Sequence, residues 1–167
     1  AEIDVQPAGD KANGYKALSM SAVGDDFPLY DDLKQYVVDT GKAAGAGDQL
    51  GTVPYNRGLY AAMLAAEAVK VAQEMHGTDD ITSGQMRDGM ENLVITEEIM
   101  AANGVPGFGP EFTVSCENHG GAGLVAVTQW DAAAGEFVQI ADFAPTDMDI
   151  IQPLIDEDSA AYKAENN

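Results

Sequence analysis

Residues 14–20 alternate apolar and polar side chains closely enough to predict a strand. Asp25 and Asp26 then precede Phe27 and Pro28, an acidic cap beside a first-turn proline, and predict the start of a helix. Leu29, Leu33, Tyr36 and Val37 share its apolar face, while Asp31, Asp32, Lys34 and Asp39 point outward. Gly41, Gly45, Gly47 and Gly51 end it in a loop.

The longest periodic segment is 55–75. Tyr60, Met63, Leu64, Val71, Ala72 and Met75 fall on one broad apolar side, and Glu67, Lys70 and Glu74 form a narrow charged edge. So little polar surface predicts a mostly buried helix. His76 and Gly77 suit its C-terminal end, one by charge and one as a left-handed cap. Thr82 and Gln85 have capping-box spacing, and Ile81 and Met86 have hydrophobic-staple spacing. Met86, Met90 and Leu93 continue as a buried stripe. A short helix follows from Thr96 to about Asn103, and 105–110, with two glycines and two prolines, is a loop.

The pattern then changes to period two. Residues 111–115, 124–130 and 136–143 read as strands, the last two joined by the short connection 131–135. Residues 149–162 have helical character, but Pro153 counts against the first turns. Residues 1–13, polar with Pro7 and Gly9, read as a loop or connecting arm. A strand, a run of helices and a hairpin in this order predict an α/β chain with an open sheet.

The chain has 167 residues, enough for one ordinary core, and an apolar fraction of 46%, which argues against disorder. Its 28 acidic and 8 basic residues give a net charge of −20. That charge repels phosphate backbones and anionic headgroups, so no nucleic-acid or membrane-surface partner is expected. One cysteine, Cys116, excludes an internal disulfide. The chain starts at Ala1 with no signal-type segment, so either such a segment is removed or the chain is part of a longer polypeptide.

Cys116 and His119 are close enough in sequence to suggest a nucleophile and base, or two metal ligands, but no third group is apparent; a tight turn at Gly120 and Gly121 is the simpler reading. The acidic run Asp147, Asp149, Asp156, Glu157 and Asp158 lacks the pattern of a calcium loop and reads as a solvated face. No phosphate cradle is present in the glycine-rich segments. Tyr55, Asn56 and Arg57 stand out more. Arg57, one of two arginines, sits where a helix N-terminus favours anions, so it calls for a carboxylate partner or a ligand, and Tyr55 offers an aromatic wall beside it.

In their order, these segments resemble the C-terminal part of a periplasmic solute-binding protein of the branched-chain amino acid ABC transporter family, the type I periplasmic binding protein fold. The resemblance rests on residues 8–15 before the first strand, the helix from Phe27 to Lys42, and the helix opened by Tyr55 and running through Tyr60, Ala61, Ala62 and Met63. It rests further on the Met/Leu helix 86–93, on Gly107-Phe108-Gly109, on Asn118-His119-Gly120-Gly121, and on the hairpin 125–138.

The resemblance implies two lobes closing on a solute. Residues 1–52 would lie in lobe two, 53–110 mainly in lobe one, 111–143 in hinge strands and hairpin, and 144–167 in a C-terminal tail. It implies an exported, periplasmic, non-enzymatic protein without cofactor or metal. Such a protein binds an amino acid or related carboxylate in the interlobe cleft and delivers it to a membrane permease. Tyr55 matches the family's cleft-lining aromatic; Asn56 and Arg57 are added as its neighbours. A ligand sensor of the same fold coupled to a regulator is the alternative. A fragment of such a protein leaves sheet edges and apolar faces uncovered, so the isolated chain is expected to self-associate.

Overall fold

The computed structural model describes residues 1–45, 47–115 and 118–166. Its elements are α1 (Glu2–Val5), a 3-10 segment (Gln6–Ala12), β1 (Lys16–Ser19), α2 (Pro28–Leu33) running into a π turn (Lys34–Val38), and α3 (Val53–His76). Next come α4 (Ser83–Glu91), β2 (Val94–Ile95), α5 (Glu97–Ala102) and β3 (Phe112–Thr113). The chain then continues through β4 (Leu124–Asp131), β5 (Glu136–Pro145) and α6 (Met148–Asn166).

The fold is α/β, and its strands form two antiparallel sheets, in the orders β1-β4-β5 and β2-β3, where one open sheet was expected. Two apolar cores go with them. The helical core buries Ala22, Tyr30, Met63, Ala68, Leu93, Ile95, Met100, Val105 and Phe108 between α2, α3, α5 and the small sheet. The sheet core packs Trp130 and Phe137 edge to face, 5.2 Å apart, with Val5 beneath them. The chain passes between the cores at Ala22 and Val23, since Ala22 belongs to the first and Val23 packs on the second.

The boundary expected between residues 52 and 53 therefore falls inside one packing unit. Leu29, Leu33 and Leu50 share the helical core with Tyr55, Leu59 and Leu64. Residues 1–13 also differ from the expected loop. They form two short helical segments, kinked at Gly9, that hold Val5 and Ala12 against the large sheet.

Local signals place the helices well. Thr82 accepts from the Gln85 amide at 3.3 Å while the Gln85 side chain accepts from the Thr82 amide at 2.8 Å, the reciprocal box that starts α4. Gly77, at φ 62°, closes α3 by donating to the Gln73 carbonyl. The acidic cap expected for α2 is absent: Phe27 occupies the cap, and the Gly104 carbonyl accepts from the Leu29 amide instead. Asp25 pairs with Lys34. Beyond Leu33 the wider π turn changes the angular phase, and Tyr36, expected on the buried face, is exposed.

The long helix α3 is less buried than its composition suggests. Ala61, Ala62, Ala65 and Ala66 are exposed, as is Met75. Alanine adds apolar character to a sequence but little apolar area, so it faces water at small cost. The stripe expected on α4 is shifted too: Met90 is exposed and Gly89 is buried against α3.

Glu67, expected on the charged outer edge, is instead buried. Burial alone raises a carboxyl pKa, but hydrogen bonds from Lys70 at 2.6 Å and Asn103 at 2.8 Å outweigh it, and the net shift is downward. A depressed folded-state pKa means that the carboxylate stabilises the fold above its ordinary value of 4.5, and that this contribution disappears as pH falls through the lowered value. Glu67→Gln is expected to lower the melting temperature at neutral pH. The gap from the parent should close in acid well below pH 4.5, as paired thermal melts across pH would register.

Tyr60 carries the opposite kind of feature. Its hydroxyl is buried and, among the described residues, has no hydrogen-bond partner; burial pushes its pKa up to about 12. The ring packs 5.9 Å from Phe108. An unpaired buried hydroxyl is a desolvation cost with no return, so Tyr60→Phe should hold or raise stability by about 1 kcal/mol in chemical denaturation.

Candidate functional site

A concavity lies where the end of α2, the glycine-rich segment and the start of α3 meet. A groove of about 370 Å³ is walled by Leu33, Val37 and Val38 from α2 and its π turn, by Lys42–Gly45 and Gly47–Leu50, and by the ring of Tyr55. The walls are mostly apolar, with Lys42 and Asp48 as the charged side chains among them.

A buried polar knot sets the position of this wall. Asn56 is completely buried (0% exposed) one residue past Tyr55. Its side-chain nitrogen donates to the Ala22 carbonyl at 3.1 Å and the Gly24 carbonyl at 2.9 Å, and its oxygen accepts from the Tyr30 hydroxyl. The Tyr30 ring in turn lies 6.1 Å from the Tyr55 ring at 46°, a tilted aromatic pair. Burial, chiefly, raises the pKa of Tyr30 far above the usual phenol range, so this hydroxyl remains a donor. Gly51, at φ 82°, completes the knot by accepting from the Gly24 amide; a Cβ there would lie 2.9 Å from Asp25 Cβ and from backbone atoms of Gly24 and Asp25.

The start of α3 is also where the two cores meet. Thr52, its N-cap residue, makes no side-chain cap bond and donates its hydroxyl to the Gln49 carbonyl. Glu2, from the other end of the sequence, supplies a carboxylate oxygen that accepts from the Val53 amide at 2.8 Å. A carboxylate there complements the positive end of the helix. Val53 itself packs on the sheet core. Tyr55 therefore stands within one turn of the junction between the two cores.

Tyr55, Asn56 and Arg57 do not share a surface. Successive helical positions turn by about 100°, and the three separate accordingly. Tyr55 lines the groove, Asn56 is spent on internal hydrogen bonds, and Arg57 is exposed outside the groove lining. Among the described residues no ion pair holds Arg57, so the intramolecular carboxylate that its position called for is not found.

Sequence reasoning missed Val37, Val38, Lys42 and Asp48 as groove residues. The available signal was the apolar pair Val37-Val38 leading into a glycine-rich segment that returns to Tyr55. Cys116 lies outside the described residues, and His119 is exposed. Among the described residues no three His, Asp, Glu or Cys side chains gather as metal ligands. No described helix is long and apolar enough to cross a membrane.

No protein-family profile matches the chain. No curated protein matches it either. Among solved structures, it is similar to an ABC transporter permease, so named, from the Pseudomonas fluorescens group, with 36% identity and a TM-score of 0.88 over 98% of this chain. It is also similar to a branched-chain amino acid ABC transporter from Thermus thermophilus solved with bound valine, with 23% identity and a TM-score of 0.58 over 84% of this chain. This chain spans 39% and 36% of those two chains, respectively. The likeness is to ABC transporter proteins, and the fold is a partial α/β fold of the type I periplasmic binding protein kind.

Proposed function

We propose that the chain is part of the solute-binding component of an ABC transporter, working in the periplasm and doing no chemistry on its ligand. The observation that carries this reading is the half-buried ring of Tyr55, held on an apolar groove beside the junction of two separately packed cores. Such a junction, between bodies joined by few chain passages, is where small-molecule sites concentrate. The likeness to ABC transporter proteins over nearly the whole chain supports it.

In this reading residues 24–114 belong to one lobe, and residues 1–20 with 124–166 belong to the other. That replaces the division after residue 52, because the helical core runs across it. The solute lies against Tyr55, and closure excludes water from it. Closure is driven only by the difference in affinity between closed and open forms. The closed form then engages a membrane permease.

The apolar walls suit an aliphatic or aromatic side chain. Lys42 and Asp48 supply one charge of each sign for the carboxylate and ammonium of an amino acid. Valine bound to the Thermus thermophilus protein makes branched-chain amino acids the first solutes to try. Calorimetric titration with these and with aromatic carboxylates is the test. Tyr55→Ala should weaken binding about tenfold through loss of one buried aromatic contact. Unchanged affinity in that variant would remove Tyr55 from the site.

A further inference from the structure

The wall that the π turn gives to the groove is held by its own backbone. The Asp39 amide donates to the Lys34 carbonyl at 2.9 Å and closes the turn. The Val37 carbonyl accepts from the Lys42 and Ala43 amides at 3.0 and 3.2 Å, and from the Thr40 hydroxyl at 3.3 Å. The Gly41 amide donates to the Val38 carbonyl at 3.0 Å. Val38 therefore enters the groove from a fixed backbone, and a β-branched side chain has little rotamer freedom of its own. One flank of Val38 is also blocked. The glycine-rich segment runs so near that a Cβ on Gly47 would lie 3.1 and 3.3 Å from the two Val38 methyl groups, with Leu50 Cδ1 at 3.6 Å. Gly47 does not have a positive φ, so it is this close approach, and not the backbone angle, that calls for glycine.

We propose that Val38, seated against Gly47, is the specificity-determining residue of the groove and limits the size of the solute side chain it admits. This inference rests on the reading of the groove beside Tyr55 as the solute site. A groove of about 370 Å³ is at the small end for small-molecule sites, so one or two methyl groups change its room appreciably. Val38 cannot withdraw toward Gly47 to make space, and its backbone cannot follow a larger solute outward. Tyr55, Lys42 and Asp48 touch what amino acids have in common, an apolar side chain and two charges, whereas Val38 acts on the difference between them. Changing it should therefore alter the ratio of affinities more than the affinity for a small solute.

The test is titration of the polypeptide as its gene encodes it, and of its Val38→Ala and Gly47→Ala variants, with valine and with phenylalanine. Val38→Ala removes two methyl groups from the wall, and the affinity for phenylalanine relative to valine should rise about tenfold. Gly47→Ala adds a methyl group at the same place, and that ratio should fall. The two opposite shifts keep the test open if either variant folds poorly, and a general loss of structure would weaken both solutes together and leave the ratio unmoved. An unchanged ratio in both variants, or a shift against these directions, would overturn the role of Val38 while leaving solute binding at Tyr55 standing. A parent that binds neither solute would overturn both readings.

Discussion

Asn56→Ala is expected to destabilise the protein by about 4 kcal/mol, because one truncation strands two buried partners and a third that is part-buried. The Ala22 and Gly24 carbonyls lose their donor, and the Tyr30 hydroxyl loses its acceptor. Each stranded group costs about 1–3 kcal/mol when water cannot reach it, and Asn56 and Tyr30 are both 0% exposed. The cost is partly shared, so the sum is less than three independent losses. Asn56→Asp should be nearly as damaging, since a carboxylate accepts from Tyr30 but has no proton for the two carbonyls. Urea denaturation reads both. A double-mutant cycle with Tyr30→Phe should give a coupling of about 1 kcal/mol or more, and additivity would mean that the hydroxyl–amide contact carries no stability.

The second large effect is at Gly89, where α4 crosses α3. A Cβ built there would lie 2.2 Å from the Ala68 carbonyl oxygen and 2.8 Å from Ala72 Cβ. Neither obstacle is the movable end of a side chain. One is backbone, the other the stub of an alanine in the interior of a 24-residue helix. The helices must separate, which opens the core around Ala68 and Met63, and Gly89→Ala should cost about 3 kcal/mol despite alanine's better helix propensity. Gly84, on the same helix, is the control. A Cβ there meets only Thr82 Oγ1 at 3.9 Å, so Gly84→Ala should be neutral or stabilising by up to about 1 kcal/mol. Equal losses at the two sites would mean that the close crossing does not govern stability.

These two residues also show what the sequence reveals and what it hides. The capping box at Thr82, the cap at Gly77 and the alternation in β4 and β5 are set by neighbours in sequence, and they appear where the pattern predicts them. Gly89 and Asn56 owe their importance to partners on other elements, and nothing adjacent in sequence announces that. Glu67 belongs with them: its burial depends on Asn103, 36 residues away. The exposed alanines of α3 mislead in the other direction. An apolar pattern shows that a face tolerates burial, whereas packing decides whether the described residues cover it.

The candidate site was legible in the same partial way. Tyr55 stands out in the sequence because an aromatic and an arginine open a long helix, and its ring is among the residues that line the groove. The period of the helix then sends Asn56 into the core and Arg57 into solvent. The opposite wall comes from the π turn, which no sequence period marks, and from a glycine-rich segment whose path is fixed by Gly24, Gly51 and Asn56. The division into cores was hidden because β1 pairs with β4, 111 residues further on by the Thr128–Ala17 contact.

In the proposed function a small amino acid-like solute binds against Tyr55. Isothermal titration of the polypeptide as its gene encodes it with valine, leucine and phenylalanine, in parallel with its Tyr55→Ala variant, is the decisive experiment. Saturable one-to-one binding of at least one of them is expected, weakened about tenfold in the variant while its fold and melting temperature stay near the parent's. Absence of binding for all three, or equal affinity in the parent and in Tyr55→Ala, would contradict it.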